Sequence, residues 1–322
     1  MLYFSENDIR SRVTMSDVIE AVKKAFSMAE KGEINTPLRT VIPAKNGSLL
    51  FMPACSEAIN MAVLKTVGVF PANAAEGRST TPAEVQLIDA ATGYTLAMMD
   101  GTYVTRQRTG AASGAAFEVL GKKNCRKGAL IGTGGQAEAQ LEAMLTARSL
   151  AEVSIFSPNR EKCAAFTEKM RAKFAGKGVF VLHADSADEC VTDADLIITV
   201  TTSETPVFDG SLVKKGATVS CVGTYEPNKH EIDPALVARA DKIFCDSVDA
   251  VLSESGDLLI PLREGLITAD DIRGGLGRVI NGTLKGRESE DEIIVFETVG
   301  IAAQDLTTAA MIYEKLTAAG QS

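Results

Sequence analysis

A glycine-rich turn in the middle of the chain restricts the possible folds more than any other segment. The residues Gly-Thr-Gly-Gly-Gln-Ala at 132–137 lie between a short apolar run at 128–132 and a helical pattern at 137–149. The first glycine permits a tight turn, the second lets the backbone approach a pyrophosphate, and the final alanine allows close helix–strand packing. We therefore predict a dinucleotide-binding turn at a helix N-terminus, formed by Gly132, Gly134, Gly135, Gln136 and Ala137.

Strand and helix patterns alternate on the C-terminal side of this turn. Further strands are predicted at 153–157, 179–182, 194–200, 217–222 and 242–245, with a helix at 160–174. Such alternation is typical of parallel strands joined by right-handed crossovers. Residues 113–292 are therefore predicted to form a Rossmann NAD(P)-binding domain.

The N-terminal part of the chain follows a different pattern. A helix is predicted at 16–31, with Ser16 or Asp17 as its cap and Gly32 as its end. Short β-type runs between residues 38 and 100 predict a largely antiparallel sheet, and a helix follows at about 105–120. The segment 293–319 is predicted to be helical. The expected fold class is α/β, with an α+β domain at 1–112 to which residues 293–322 return.

Composition limits the kinds of partner. The chain has 33 basic and 42 acidic residues and a formal net charge of −9, which disfavours nucleic acid. An anionic substrate must therefore be held by a local group of cations. No secretory signal or membrane-spanning run is recognised, so we expect a cytoplasmic protein that does not engage a membrane. The six scattered cysteines and two distant histidines predict no metal site.

The end of the second strand of the dinucleotide domain bears on the choice between NAD and NADP. An acidic residue at this point binds the ribose 2′-hydroxyl of NAD, and the sequence has none there. Ser157, Asn159 and Arg160 are candidate ligands of a 2′-phosphate. Alternatively, Ser157 and Asn159 form a turn and helix cap, with Arg160 in solvent. NADP(H) is favoured over NAD(H), although Glu161 keeps NAD open.

Three cations in the N-terminal domain are candidate substrate ligands. Lys65 interrupts an apolar strand, where burial would lower its pKa, unless it lies on an edge strand and faces water. Arg108 opens a helix of small residues, and Arg39 follows a Thr-Pro-Leu sequence. Solvent exposure is the alternative for Arg108, and a surface ion pair is the alternative for Arg39.

Taken together, these motifs resemble the ornithine cyclodeaminase/μ-crystallin family over nearly the whole chain. The most specific parts are Arg-Thr-Gly-Ala-Ala-Ser at 108–113 and Gly-x-Gly-x-Gln-Ala at 132–137. The other matching segments are Pro37-x-Arg39, Met52-Pro53-Ala54, Lys65, Asp100-Gly101, 84–93 and 291–305. The resemblance implies a Rossmann domain and a substrate domain that forms a homodimer. Members of the family include cyclodeaminases, amino-acid dehydrogenases, ketimine reductases and a hormone-binding crystallin.

The resemblance also implies roles for individual residues. Arg39 and Arg108 would grip the carboxylate of a small amino or imino acid, and Lys65 would contact that carboxylate or the reacting centre. Thr80 matches a polar position on the substrate side. The dinucleotide would be contacted by Thr109, Gly134, Gly135, Gln136, Thr201, Val222, Gly223 and Lys229. Lys65 and Arg108 are the expected catalytic residues.

One departure from the family pattern separates its members. Ornithine cyclodeaminases carry an essential aspartate two residues after the glycine that matches Gly223, and here Tyr225 occupies that place. A neutral tyrosine cannot replace a carboxylate, and Glu226 would do so only if the loop register shifted. We therefore expect an NADPH-dependent reductase of Δ1-pyrroline-2-carboxylate or Δ1-piperideine-2-carboxylate. The alternatives are a cyclodeaminase, an alanine-dehydrogenase-like enzyme and a crystallin-type NADPH- and ligand-binding protein.

Overall fold

Segments from both ends of the chain build the first of two units. The computed structural model describes residues 1–318. The first unit contains Met1–Ala111 and the segment from Gly300 onward, and the second contains Ala112–Val299. The C-terminal segment of the first unit begins at Gly300, whereas the sequence predicted that it begins at residue 293. The N-terminal segment ends at Ala111, and its predicted end was residue 112.

The first unit is built on a sheet with the strand order β1-β6-β5-β4-β3-β2. All neighbouring strands are antiparallel except β1 and β6, which agrees with the predicted antiparallel sheet. The elements are β1 (Leu2–Phe4), α1 (Glu6–Arg12), α2 (Met15–Glu30), β2 (Thr40–Ala44), β3 (Gly47–Ser56), β4 (Met61–Val69), β5 (Ala83–Asp89), β6 (Thr95–Asp100) and the first half of α3 (Gly101–Leu120).

The helix starts differ from two of the predictions. The cap of α2 is Thr14, not Ser16 or Asp17, because Thr14 and Asp17 form a reciprocal capping box. Helix α3 begins at Gly101, four residues before the predicted start, because the Asp100 carboxylate accepts a hydrogen bond from the backbone N–H of Tyr103 at 2.9 Å. The predicted end of α2 is correct, since Gly32 follows it with a φ of 70°.

The second unit contains a parallel sheet with the strand order β13-β12-β14-β11-β10-β7-β8-β9. This is the predicted Rossmann architecture. Its strands are β7 (Lys127–Ile131), β8 (Glu152–Phe156), β9 (Phe180–His183), β10 (Leu196–Thr199), β11 (Thr218–Cys221), β12 (Lys242–Cys245), β13 (Ile272–Gly275) and β14 (Ile294–Glu297). Its helices are α4 (Ala137–Ala147), α5 (Arg160–Phe174), α6 (Ala187–Val191), α7 (Pro234–Arg239), α8 (Val248–Glu254), α9 (Gly256–Arg263) and α10 (Leu276–Ile280).

The prediction of a continuous helix at 293–319 is wrong in its first part. Strand β14 lies between β11 and β12 and is fully buried, so its Ile-Val-Phe-Glu sequence forms a central strand. A short run that is buried on both faces shows no alternation, and its periodicity does not distinguish a strand from a helix. The helix of this segment is α11 (Ala302–Ala318), which packs on α2, β3, β4 and β5 of the first unit.

The strand order places a topological switch point in the second unit. The chain runs from β7 to β8 and β9 in one direction, and β10 and β11 lie on the other side of β7. In open parallel sheets, ligands bind beyond the carboxyl ends of the two strands at this point, here β7 and β10. No helix within residues 1–318 has the length and apolar character needed to cross a bilayer.

Candidate active site

Lys65 lies on an inner strand of the first unit. It belongs to β4, directly opposite Met52 of β3 and Val85 of β5. Its exposed fraction is 0%. The edge-strand alternative is therefore wrong, and the buried ammonium needs partners because desolvation of an unpaired charge is costly.

A carboxylate from the C-terminal helix joins Lys65 to Arg108. Asp305 of α11 lies 2.8 Å from Lys65 Nζ through its Oδ2 atom, and its Oδ1 atom accepts a hydrogen bond from Arg108 Nε at 3.0 Å. Arg108 Nη1 also donates to the side-chain oxygen of Gln304 at 3.2 Å. Two cations thus share one buried carboxylate, which leaves an excess positive charge suited to an anionic ligand.

Two buried donors in this cluster have unused hydrogen-bonding capacity. Apart from its ion pair with Asp305, Lys65 Nζ has no hydrogen-bond acceptor among the described residues. Gln304 Nε2 has no hydrogen-bond acceptor among these residues either. Buried polar groups in native proteins normally have partners. A bound carboxylate would supply the missing acceptors.

The electrostatic surroundings of Lys65 bring its titration close to neutral pH. Burial and the positive charge of Arg108 lower the pKa of Lys65 to about 7, while Asp305 opposes them and Arg39 lowers the pKa further. An amine in this range exchanges a proton readily near neutral pH.

The other predicted substrate-side residues lie in the first unit but outside this ion-pair network. Arg39 is half-buried and donates to the carbonyl of Gly300 at 2.7 Å. Thr80 is half-buried in the loop before β5, and Thr109 follows Arg108 on α3. Arg39 is close enough to Lys65 for its positive charge to lower the pKa of that amine.

The predicted dinucleotide turn has the expected geometry in the second unit. Gly132 has a φ of 111°, and a Cβ there would lie 2.5 Å from the carbonyl oxygen of Val200. The spaces beside Gly134 and Gly135 are open, so a ligand can approach their backbone. Helix α4 begins after Gln136 without a side-chain cap, and the N–H of Ala137 donates to the carbonyl of Gly134 at 3.1 Å. The other N–H groups of a first helical turn can bind an anion. Ala137 is fully buried against the core. These residues fit a dinucleotide.

The residues after β8 are engaged in protein contacts. The Asn159 side chain caps α5 by accepting from Lys162 N–H at 2.9 Å, which is the alternative role considered for it. Arg160 is 82% exposed at its side chain and pairs with Asp185 at 3.2 Å. Ser157 is half-buried. A 2′-phosphate would therefore have to compete with Asp185 for Arg160.

The loops after β10 and β11 meet at a buried carboxylate that the sequence analysis did not identify. Glu231 accepts hydrogen bonds from the backbone N–H groups of Thr201 at 2.5 Å and Gly223 at 2.6 Å. Val222 precedes this contact and is half-buried. Thr201, Val222 and Gly223 thus lie together beyond the carboxyl ends of two inner strands of the parallel sheet.

The rest of the β11 loop is held by surface ion pairs. Lys229 Nζ pairs with Glu226 at 3.0 Å and with Glu204 at 3.5 Å. The Glu226 side chain is 50% exposed, and Tyr225 is half-buried. Glu226 therefore neutralises Lys229, and its surroundings are those of a solvated surface carboxylate.

Asp305 and Gln304 were also not predicted from the sequence as site residues. They had been noted only as part of a matching segment, although a Gln-Asp pair within an otherwise apolar helical run was a usable signal. Glu231 carried no comparable signal, because it stands among the polar residues of a loop.

Known proteins resemble this chain over nearly its full length. The model of the ornithine cyclodeaminase/mu-crystallin family matches residues 2–320. A Delta(1)-pyrroline-2-carboxylate reductase of Bacillus cereus is 39% identical, covering 98% of this chain and 96% of the relative.

Two solved structures have the same fold. The Delta(1)-pyrroline-2-carboxylate reductase of Thermococcus litoralis, solved with NADH and L-proline, has a TM-score of 0.95 and 35% identity, covering 99% of this chain and 98% of that one. An archaeal alanine dehydrogenase dimer with bound NAD has a TM-score of 0.91 and 30% identity, covering 99% and 97%. The chain therefore belongs to the ornithine cyclodeaminase/mu-crystallin family.

Proposed function

We propose that this protein is a nicotinamide-dependent reductase of small cyclic 2-carboxy imines, with Δ1-pyrroline-2-carboxylate or Δ1-piperideine-2-carboxylate as substrate. The observation that carries the proposal is the buried Lys65–Asp305–Arg108 cluster, with its excess positive charge and unused donors. Two of the relatives described above are named as reductases of the pyrroline compound.

The cluster has the groups that such a reaction requires. Arg108 and Arg39 bind the substrate carboxylate, for which the planar guanidinium is well shaped. When bound, the dinucleotide supplies the hydride that adds to the imine carbon. The ring nitrogen takes up a proton, and Lys65 is the buried donor for it because its pKa is lowered to about 7. Asp305 and Gln304 orient the two cations before substrate arrives.

The missing aspartate argues against cyclodeamination as the main activity. Tyr225 stands in its place, and the neighbouring Glu226 is exposed and paired with Lys229. Neither residue is a buried carboxylate available for base chemistry.

A spectrophotometric screen tests the proposal. The purified protein is offered NADPH or NADH with each cyclic imine, with pyruvate plus ammonia, and with ornithine. We expect nicotinamide oxidation with a cyclic imine and no ammonia requirement. Ammonia release from ornithine without net nicotinamide oxidation would indicate a cyclodeaminase, and ammonia-dependent oxidation with pyruvate would indicate an alanine dehydrogenase. Tight ligand binding without turnover would favour the crystallin-type binding protein.

For the cofactor we propose NADP(H) in preference to NAD(H). Support comes from the end of β8, where residues 157–160 contain no carboxylate and the exposed Arg160 lies one residue after Asn159. An arginine that is exposed at its side chain can leave a surface ion pair for a phosphate at little cost, since such pairs contribute about 1 kcal/mol or less. The test is the ratio of kcat/KM for NADPH and NADH with one imine.

For the assembly we propose a homodimer formed through the first unit. Strand β2 is an edge of its sheet and all of its residues are exposed. The large apolar side chains in or beside it include Leu38, Val41, Ile42 and Leu49, which are 37% to 51% exposed. An unpaired edge with apolar side chains is a surface that a second copy of the chain would cover.

A further inference from the structure

Glu231 is a buried acidic residue for which the proposed reaction has no direct use. Its exposed fraction is 0%, and it lies in the segment between β11 and α7. Its two carboxylate oxygens each accept one backbone hydrogen bond, from Thr201 and from Gly223. These donors follow two neighbouring strands, β10 and β11. Thr201 is 30 residues and Gly223 is 8 residues from Glu231 in sequence, so the carboxylate ties separate parts of the chain together.

The residue opposite this carboxylate has to be glycine. A Cβ at Gly223 would collide with the Glu231 carboxylate and with the carbonyl oxygen of Thr201. The carboxylate therefore fills the space that a side chain at 223 would need. The three residues form one closely fitted unit, since neither strand end can move without breaking a bond to Glu231.

A second carboxylate holds Glu231 in place. Asp257, near the start of α9, accepts hydrogen bonds from the backbone N–H groups of Glu231 at 2.7 Å and Ile232 at 2.9 Å. Burial and the negative charge of Asp257 raise the pKa of Glu231 to about 8, while the N–H groups of Thr201 and Gly223 favour its ionised form. Glu231 is thus retained against a substantial desolvation penalty, which indicates a specific demand on its position.

The place of this unit in the sheet connects it with the dinucleotide. Thr201 follows the carboxyl end of β10, one of the two strands at the switch point. The preceding residue, Val200, contacts the other side of the switch point, because its carbonyl limits the space at Gly132. The backbone held by Glu231 is therefore continuous with the wall of the crevice in which a dinucleotide binds.

We infer that Glu231 is a positioning residue of the dinucleotide site, whose carboxylate ties the ends of β10 and β11 together and sets the backbone against which the cofactor binds. The inference rests on the dinucleotide-binding part of the proposed function and is independent of the identity of the imine. Glu231 touches neither the substrate nor the reacting atoms in this role.

Amide hydrogen exchange and NADH binding test the inference directly. In the wild-type protein without cofactor, the amides of Thr201 and Gly223 are expected to exchange slowly. In Glu231→Gln the side-chain nitrogen cannot accept a hydrogen bond, so one of these amides should lose its protection. The loss of a buried hydrogen bond predicts an increase of about tenfold in the Kd for NADH, measured by fluorescence titration.

Two further variants separate the position of the carboxyl group from its presence. Glu231→Asp keeps a carboxyl group but is one methylene shorter and cannot reach both amides, so it should also weaken NADH binding. Glu264→Gln makes the same chemical change at an exposed carboxylate in the second unit and should bind NADH as the wild type does. The KM for NADH, measured at saturating imine, should rise in the Glu231 variants. The KM for the imine, measured at saturating NADH, should be unchanged.

The possible results are distinct. Fast exchange of both amides in the wild type, or a folded Glu231→Gln protein with unchanged NADH affinity, would overturn the inference. A merely structural role would lower the fraction of active protein and leave the KM for NADH unaltered. If NADH binding weakens as expected but no cyclic imine is reduced, the inference stands and the proposed substrate is wrong.

Discussion

The charge of Asp305 influences the pKa of Lys65, and this makes the ion pair between them testable. The ammonium of Lys65 is present below its pKa of about 7 and is lost above it. Because Asp305 raises this pKa, Asp305→Asn should lower it further and move the basic limb of the kcat/KM profile to lower pH. The profile of kcat/KM measured with a cyclic imine reports the free enzyme. A basic limb that stays in place or moves to higher pH would contradict the assignment.

Removal of the Lys65 amine should be the most damaging change to the reaction. Lys65→Met retains the side-chain volume and leaves Asp305 paired with Arg108, so the first unit should still fold. The loss of a positioned proton donor predicts a decrease of about 10²- to 10⁴-fold in kcat/KM. Lys45→Met removes an exposed lysine of the same unit and serves as the control. Equal rates for the two variants would remove Lys65 from the mechanism.

Arg160 offers a test of cofactor choice that leaves the fold unaffected. Its side chain is 82% exposed, so Arg160→Ala should change stability little. If the guanidinium binds a 2′-phosphate, the KM for NADPH should rise about tenfold while that for NADH stays constant. Arg273→Ala, at another exposed position in the second unit, is the matched control. An equal change in the KM for both cofactors would mean that Arg160 does not bind the 2′-phosphate.

The residues differ in how readily a sequence reveals them. Lys65 and Arg108 could be singled out because a charge stands in each case among apolar or small residues. Asp305 could not be assigned to them, since it is 197 residues from Arg108 in sequence and only the packing of α11 on the first sheet brings them together. The dinucleotide turn was predictable because all of its requirements are local: a strand, a turn with small residues and a helix.

The cap of α2 has a measurable effect on stability. Thr14 and Asp17 satisfy each other's backbone N–H groups, so Thr14→Ala should lower the free energy of unfolding by about 1 kcal/mol. Ser16 is exposed within the helix, and Ser16→Ala should have no such cost because alanine favours helix. Urea denaturation of both variants distinguishes them. A larger loss from Ser16→Ala would support the cap position first predicted from the sequence.

The elements that escaped prediction share a physical cause. Strand β14 was expected to be helical because a run buried on both faces lacks the alternation that marks a half-buried strand. It pairs with β11 on one side and β12 on the other, and these contacts are nonlocal. Helix α5 was predicted with its exact bounds because Asn159 and the helical pattern after it are adjacent in sequence.

The exposed edge strand of the first unit predicts how two copies of the chain associate. Ile42 of β2 and Leu49 of β3 are paired in register, and their exposed side chains lie on neighbouring strands. Burial of such side chains against a second copy would stabilise a dimer by roughly 25 cal/mol for each Å² of apolar surface removed from water. The opposing surface is the same in a twofold dimer, so one substitution acts twice.

A lysine on this edge should therefore prevent the association. We expect the wild-type protein to have twice the 34.0 kDa mass of one chain in light scattering, and Ile42→Lys to have the mass of a single chain. Charged residues on edge strands oppose pairing because two copies would have to bury like charges. Leu266→Lys places the same charge at an exposed leucine of the second unit and should leave the mass unchanged. A wild-type mass of one chain, or a dimeric Ile42→Lys protein, would show that this edge does not form the interface.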